Sequence, residues 1–328
     1  MAIVHADSAL TAEHLVLHER CGLLDRSERG KLALTGAGAV EFLNGQVSNE
    51  LATLHPGEGC YAAFLTHKGK MLGDLRILAL GGDPDAPPTE LLLDTERASL
   101  QALFDMIRRF KVGFEVELHK RTLERGLLSL IGPAADRVAG TERLSHEEHA
   151  SLPLEIEGVA ALAVRTDLGT DLLCDATDTK RLSAHLRERG AETVSEQAAE
   201  CLRIERGRPR YGIDLDDTVI PQEAGLNERA VSFTKGCYVG QETVARLHWR
   251  GKPNRHLRGL RLSEPAAAGD QLRLGERVVG ALGSTTVSPT LGPIALALVR
   301  REAEPGASLE LGEHGARAEL VELPFARD

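Results

Sequence analysis

The sequence predicts an α+β protein in which two related halves are followed by a small antiparallel β-barrel. Strand and helix patterns alternate without the regular βαβ rhythm of a parallel sheet. Two short phrases recur in the same order, which indicates an internal duplication. After Asn254 the helical patterns stop, and short apolar runs separated by glycine and proline follow. We expect domains at residues 1–120, 121–253 and 254–328, with the first two allowed to interleave.

Periodicity assigns the elements of the first half. Leu100, Leu103, Phe104 and Ile107 share one helical face, and apolar residues alternate with polar ones over 112–118, which predicts a half-buried strand there. The predicted helices cover residues 12–21, 39–46 and 95–110, and the predicted strands cover 31–35, 61–65, 72–80, 90–93 and 112–118.

The internal repeat is visible in two pairs of segments. Leu-Ala-Leu-Thr-Gly-Ala at 32–37 is echoed by Leu-Ser-Leu-Ile-Gly-Pro at 128–133, and each leads into a helical pattern. Residues 92–95 before the third helix are echoed by 172–177 before a helix at 179–189. Two related halves make the cleft between them the expected ligand site.

The composition narrows the possible function classes. The chain has 328 residues, of which 42% are hydrophobic, and a formal net charge of −10, which argues against a surface broadly coated in nucleic acid. No apolar run approaches the roughly 20 residues of a membrane span, and no signal peptide is visible, so we expect a cytoplasmic protein without a membrane partner. The five cysteines form no C-x-x-C pair, so no metal site is predicted.

The most unusual stretch is Lys-Gly-Cys-Tyr-Val-Gly-Gln-Glu at 235–242. Glycine lets a ligand approach the backbone, and a helix that starts at Gln241 and Glu242 adds unpaired N–H groups, so Lys235, Gly236 and these two residues are candidate binding residues. Cys237 lies beside Lys235 and ahead of this helix, which favours the thiolate. The alternative interpretation is a glycine-rich surface turn with an incidental cysteine.

This motif resembles the signature of the YgfZ-type folate-binding proteins, relatives of the glycine-cleavage T protein. Three more phrases agree in order, at residues 61–75, 202–212 and 220–225. The resemblance implies a T-protein-like body of two ferredoxin-like halves with a C-terminal barrel. It also implies tetrahydrofolate or a derivative as ligand and an auxiliary role in iron–sulfur cluster assembly or repair. That role would support tRNA modification indirectly, with assembly proteins or client cluster enzymes as partners.

Two clusters of positive charge predict an anionic ligand such as folate. Glu205 is surrounded by Arg203 and three further arginines, and Arg246 begins a second basic stretch. A carboxylate can accept the pterin edge, arginine suits the carboxylate tail, and Tyr211, Phe233 or Trp249 could stack on the ring. The resemblance also gives the position of Glu205 a pterin-binding role in T proteins. The alternatives are a solvated basic face and an ion pair between Glu205 and Arg203 or Arg208.

Asp74 and Cys237 are the candidate catalytic residues. T proteins carry Gly-Gly-x-x-Asp-Asp-Leu where this chain has Gly73 before Asp74, a departure that counts against aminomethyl transfer. Asp74 could instead pair with Lys70 or Arg76. Cys237 has no base nearby, which favours a redox or transient cluster-ligand role. A folate-dependent aminomethyl or methyl transferase and a tRNA- or protein-binding module using residues 246–261, with weak tRNA contact, therefore stay as alternatives.

Overall fold

The computed structural model describes residues 7–312 and 315–325. The helices are α1 Ser8–Glu19, α2 Ala39–Asn44, α3 Leu100–Phe110, α4 Ala135–Ala139, α5 Thr179–Glu188, α6 Glu196–Glu205, α7 Asn227–Ala230 and α8 Gln241–Arg250. The strands of the two halves are β1 Gly22–Asp25, β2 Gly30–Thr35, β3 Gly59–Leu65, β4 Met71–Leu80, β5 Glu90–Thr95, β6 Glu117–Lys120, β7 Arg125–Ile131, β8 Ser151–Ile156, β9 Val159–Thr166, β10 Gly169–Asp175 and β11 Glu192–Thr193. The remaining strands are β12 Arg255–Leu262, β13 Gln271–Leu274, β14 Arg277–Ser288, β15 Gly292–Arg300, β16 Ser308–Leu311 and β17 Ala316–Val321.

The two halves repeat one order of elements. The first runs β2-α2-β3-β4-β5-α3-β6 and forms a 5-stranded sheet in the order β3-β4-β5-β2-β6. The second runs β7-α4-β8-β9-β10-α5-β11 and forms a 6-stranded sheet in which β1 is inserted between β7 and β11. Leu32 pairs with Leu93 in one half, and Leu128 pairs with Leu172 in the other. The predicted α+β duplication is therefore confirmed.

Each sheet buries a helix-covered face and shares its other face with the second sheet. In the first half, Phe42 of α2 and Leu103 and Ile107 of α3 belong to the core that contains Phe64 and Leu34 of the sheet. In the second half, Val138 of α4 and Leu182 of α5 belong to the corresponding core. The apolar residues between the sheets are Ala33, Leu78, Leu92, Leu127, Val164 and Leu173. Burial on both faces explains the nearly continuous apolar runs of these strands.

The C-terminal strands close into a barrel in the order β12-β15-β14-β13-β16-β17, and β17 returns to pair with β12. Alternate side chains, including Leu260, Leu272, Leu282 and Leu320, fill its interior. Because closure leaves no strand edge unpaired, short strands suffice here. The predicted antiparallel barrel is confirmed.

The described residues group into two compact units. One combines the residues up to Leu15 with Ser195–Leu226 and the residues from Val244 onward. The other combines Val16–Val194 with Asn227–Thr243 and contains both sheets.

The strand predicted over 112–118 is wrong at its start. Val112 is 82% exposed, and the N–H of Phe114 donates to the carbonyl of Lys111, so the chain turns there. Gly113 has a φ of 94°, which a strand does not allow. The strand begins only at Glu117. The alternation of apolar side chains came from a turn that exposes two of them.

Gly73 has no room for the aspartate that T proteins carry at this point. A Cβ atom at Gly73 would lie 2.4 Å from Cβ of Ser99 and 2.6 Å from Cε1 of Phe64, which is buried in the core.

We predict that Gly73→Asp lowers the free energy of unfolding by about 1–3 kcal/mol, the usual cost of overpacking a core, as measured by urea denaturation. Gly236→Ala is the control, since nothing lies within 4 Å of its Cβ position. An unchanged midpoint for Gly73→Asp would contradict this packing.

Candidate functional site

A cavity of about 190 Å³ opens in the unit that contains both sheets. Tyr61 and Arg76 line it from the first half, and Ser129 and Asp171 line it from the second. Arg229 of α7 also contributes, although it lies far along the chain. The duplicated halves thus supply one cavity with side chains of both charges, as predicted for a cleft between them.

A buried ion network forms the floor of the site. Arg76 donates from Nε to Oδ2 of Asp94 at 3.0 Å and from Nη1 to Oδ2 of Asp171 at 2.6 Å. Arg29 donates to the other oxygen of Asp94 at 2.9 Å, and Ser129 donates to Asp171 at 2.6 Å. Burial by itself would raise the pKa of Asp94, but Arg29 and Arg76 outweigh it and lower the pKa to about 2. Asp94 is therefore a permanent anion that balances two cations.

Asp74 lies two residues before Arg76 on β4 and has a different environment. Its side chain accepts a 2.7 Å hydrogen bond from the hydroxyl of Tyr61, and the residue is only 6% exposed. Burial raises the pKa of Asp74 to about 6, against the lowering effect of the Tyr61 hydrogen bond. Asp74 can therefore release or take up a proton near neutral pH. Arg76, an expected partner of Asp74, is instead bound to Asp94 and Asp171.

Tyr61 links Asp74 to the cavity, and the sequence did not single it out. Ala63 pairs with Asp74 across β3 and β4, which places Tyr61 diagonally opposite Asp74 on the same face. The guanidinium carbon of Arg229 lies 5.2 Å from the centre of the Tyr61 ring, and Arg229 also donates to Glu148. The missed signal was the pairing of the strands at 61–65 and 72–80. Because alternate residues of a strand share one face, this pairing places Tyr61 on the same face as Asp74.

Lys235 of the cysteine motif is buried among backbone oxygens. Its Nζ donates to the carbonyls of Asn44 at 2.7 Å, Val47 at 3.0 Å and Asn49 at 2.5 Å, and to Oδ1 of Asn44 at 2.8 Å. Burial lowers the pKa of Lys235 to about 8. These contacts fix the motif against the segment between α2 and β3.

The rest of the motif is held by its backbone while Cys237 is exposed. The N–H of Val239 donates to the carbonyl of Gly45 at 3.2 Å. A Cβ atom at Gly240 would lie 2.6 Å from the carbonyl oxygen of Thr66, so only glycine allows this approach. Gln241 bonds back to the carbonyl of Gly236 at 3.4 Å, and Glu242 is exposed. The motif thus presents a thiol on a fixed turn.

Glu205, Arg203, Tyr211 and Arg246 lie in the unit that contains the barrel. Oε1 of Glu205 contacts Nε2 of His14 at 2.8 Å and accepts from the hydroxyl of Ser288 at 2.6 Å. Arg203 binds Glu200, Asp214 and Ser284. Tyr211 forms a bridge with Leu215, and Arg246 is exposed. The folate and tRNA contacts predicted for this unit stay predictions.

We predict that Lys235→Met destabilises the fold, because three carbonyl oxygens and one amide oxygen lose their shared donor. The expected loss is roughly 2–3 kcal/mol in the free energy of unfolding, measured by urea denaturation. Lys68→Met removes a lysine that is exposed on a nearby turn and should change stability by less than about 0.5 kcal/mol. Equal midpoints for the two variants would mean that the Lys235 contacts do not support the fold.

The fold and the cavity together define a class of protein: a duplicated α+β body, with a mixed-charge cavity lined by both halves, followed by a closed β-barrel. A family model described as the GCVT N-terminal domain matches residues 4–235. A second, the glycine cleavage T-protein C-terminal barrel domain, matches residues 255–326. The chain belongs to the glycine-cleavage T-protein family.

Similar proteins agree with this family over the whole chain. An aminomethyltransferase of Geobacillus kaustophilus is 31% identical over 341 residues, covering 98% of this chain and 91% of the relative. An aminomethyltransferase of Synechococcus sp. (strain RCC307) is 33% identical over 340 residues, covering 97% and 90%. The crystal structure of glycine cleavage system aminomethyltransferase T from Bartonella henselae superposes with a TM-score of 0.85 at 24% identity, covering 99% of this chain and 92% of that one. The last comparison confirms the fold.

No helix within the described part of the chain is long and apolar enough to cross a membrane. This also applies to α1 and α3, which are the longest of the helices that precede the cysteine motif.

Proposed function

We propose that this protein binds tetrahydrofolate or a derivative and transfers a one-carbon unit to it from an aminomethyl or N-methyl donor. The buried Asp74–Tyr61 pair beside the cavity is the observation that carries the proposal. The named function of the relatives, aminomethyltransferase, supports it. The predicted auxiliary role of the YgfZ type becomes the second candidate.

The charged side chains that line the cavity suit a cationic or neutral amine substrate better than they suit a whole folate. A volume of about 190 Å³ is below the roughly 300 Å³ of a small-ligand pocket, so the cavity takes the reacting end of a substrate. Asp167 and Asp171 are the lining carboxylates proposed to meet an amine, while Asp94 is buried and balanced by Arg29 and Arg76. Glu205 is proposed to accept the pterin edge, with Ser288 and His14 orienting its carboxylate. The folate supplies the nitrogen atoms that accept the carbon.

Asp74 is proposed to move the proton. With a pKa of about 6, it is largely protonated below that pH and largely ionised above it, so one carboxyl can act as acid and as base near neutrality. The hydroxyl of Tyr61, a residue that lines the cavity, donates to Oδ2 at 2.7 Å and connects the carboxyl to the cavity. The departure at Gly73 removes one carboxylate of the T-protein pair and leaves Asp74 to perform this step alone.

We predict that the purified protein forms methylenetetrahydrofolate from an aminomethyl donor, or methyltetrahydrofolate from an N-methyl donor, and that Asp74→Asn lowers kcat by about 10²–10⁴-fold, the usual contribution of a general acid or base. Single-turnover product formation measures this, and the wild-type profile should show a limb near pH 6 that the variant lacks. Calorimetric titration with tetrahydrofolate controls for binding, which the variant should retain. Absence of product across such donors, with tetrahydrofolate bound, would sink the proposal.

The second candidate is the auxiliary role in iron–sulfur cluster assembly or repair. The exposed thiol of Cys237 on a turn fixed by Lys235 favours it, because an accessible thiol can contact a partner protein or a cluster. The four other cysteines are less accessible, and burial raises the pKa of Cys60 to about 12. Cluster-assembly proteins or client cluster enzymes would be the partners, and effects on tRNA modification would be indirect.

For this role we predict that a strain lacking the gene loses cluster-enzyme activity under oxidative stress and that Cys237→Ser fails to restore it. Cys60→Ser is the matched control and should restore activity, because that thiol stays protonated. Enzyme activities in cell extracts, normalised to enzyme abundance, provide the measurement. Full restoration by Cys237→Ser would remove the thiol from this function.

A further inference from the structure

His149 lines the same cavity, and the function proposed above does not use it. The residue is 8% exposed and has a φ of 72°, in the left-handed region that residues other than glycine rarely adopt. Backbone strain of this kind persists only where the surroundings impose it, and it concentrates at functional sites. The ring is therefore held at the cavity for a reason other than local backbone preference.

Hydrogen bonds on both sides impose this conformation. The N–H of His149 donates to the carbonyl of Arg165 at 3.0 Å, and the N–H of Ser151 donates to the carbonyl of Gly57 at 2.7 Å. A Cβ atom at Gly59 would lie 2.8 Å from the carbonyl oxygen of His149, so a glycine is needed for these two segments of the chain to approach each other. A segment of the second half is thus fixed against the first.

The ring of His149 faces the ring of Tyr61. Their centroids are 6.4 Å apart with an interplanar angle of 30°, while the Tyr61 hydroxyl bonds to Asp74. Nε2 of His149 lies 3.6 Å from Oε1 of Glu148, which also accepts a hydrogen bond from Arg229. Tyr61 therefore stands between two titratable groups, one from each half of the duplicated body.

Transfer from an aminomethyl donor moves two protons, not one. The carbon leaves a heteroatom and an amine, so two bonds break, and it joins two folate nitrogens, so two carbon–nitrogen bonds form. Each accepting nitrogen gives up one proton, and each leaving group takes one, with no change in oxidation state. A single carboxyl would have to serve both exchanges in turn.

We propose that His149 is a second acid–base residue of this cavity, which carries one of the two protons while Asp74 carries the other. The inference rests on the proposed one-carbon transfer and deepens it. His149 lines the cavity from the second half, and Asp74 of the first half is connected to the cavity through the hydroxyl of Tyr61, which also lines it. An imidazole suits this task because its ordinary pKa lies near neutral pH.

Several charged or titratable groups face His149 and enter its titration. Glu148 is its neighbour in the chain, Tyr61 stacks on it, and Arg229 binds Glu148. The other charged groups that line the cavity are Arg26, Arg29, Arg76, Asp94, Asp167 and Asp171. Glu148, Asp94, Asp167 and Asp171 are matched in number by Arg26, Arg29, Arg76 and Arg229.

The test uses His149→Asn and His149→Gly, because asparagine and glycine tolerate a positive φ and remove the imidazole without forcing the backbone to move. In the single-turnover assay both variants should lose about 10²-fold in kcat while the Kd for tetrahydrofolate stays within about threefold. The pH profile should lose the limb that belongs to His149 and retain the limb near pH 6. Unchanged rates and two unchanged limbs in both variants would overturn the proposal.

A second measurement separates this inference from the proposed function. In wild-type protein, the imidazole resonances of His149 are followed by NMR through a pH titration with and without tetrahydrofolate. We expect the imidazole pKa to move by about half a unit or more on binding, since a ligand in the cavity replaces water beside the ring. If the wild-type protein forms no transfer product, the one-carbon transfer fails and the proton-carrying role of His149 fails with it; if product forms at the same rate in the wild type and in both His149 variants, only the role of His149 fails. If the imidazole pKa of His149 is the same with and without tetrahydrofolate, His149 lines the cavity but has no part in the reaction, and the proposal is overturned.

Discussion

The two-sheet body depends on the ion pairs that the guanidinium of Arg76 forms with Asp94 and Asp171. The guanidinium extends from β4 of the first sheet to Asp94 on β5 and to Asp171 on β10 of the second sheet. Removing one partner from such a buried network leaves an uncompensated charge and typically costs about 3–5 kcal/mol. The surrounding contact between the sheets consists of alanine, valine and leucine side chains, which form no directional bonds. The network therefore fixes how the two halves align.

The same network sets the chemistry of the cavity. Because Arg76 is occupied by Asp94 and Asp171, it is not the partner of Asp74, which lies two residues earlier on the same face of β4. Two buried carboxyl groups in one sheet consequently differ in pKa, at about 2 for Asp94 and about 6 for Asp74. The first provides fixed charge and the second provides a proton. This separation of roles by environment is a common feature of acid–base sites.

The cysteine motif shows how neighbouring residues in a sequence can serve different purposes. Lys235 is directed inward and holds three backbone carbonyls, while Cys237, two positions later, is exposed. A lysine next to a cysteine suggests activation of the thiol when only the sequence is known. In the structure the ammonium group of Lys235 donates hydrogen bonds to backbone carbonyls of the segment that supports the turn. The charge and the thiol are thus separate parts of the motif.

The class of fold could be predicted from the sequence, because hydrophobic periodicity and glycine positions are local properties. The repeat of 32–37 at 128–133 predicted the two halves, and the short apolar runs after Asn254 predicted the barrel. The sequence also pointed to Asp74 and to the cysteine motif. The partners of these residues could not be predicted, because they come from segments that are far apart in the chain. Tyr61 meets Asp74 through strand register, and Arg229 and His149 reach the cavity from distant segments. Neither burial nor long-range pairing is written in local spacing, and these two factors set which carboxyl group stays ionised.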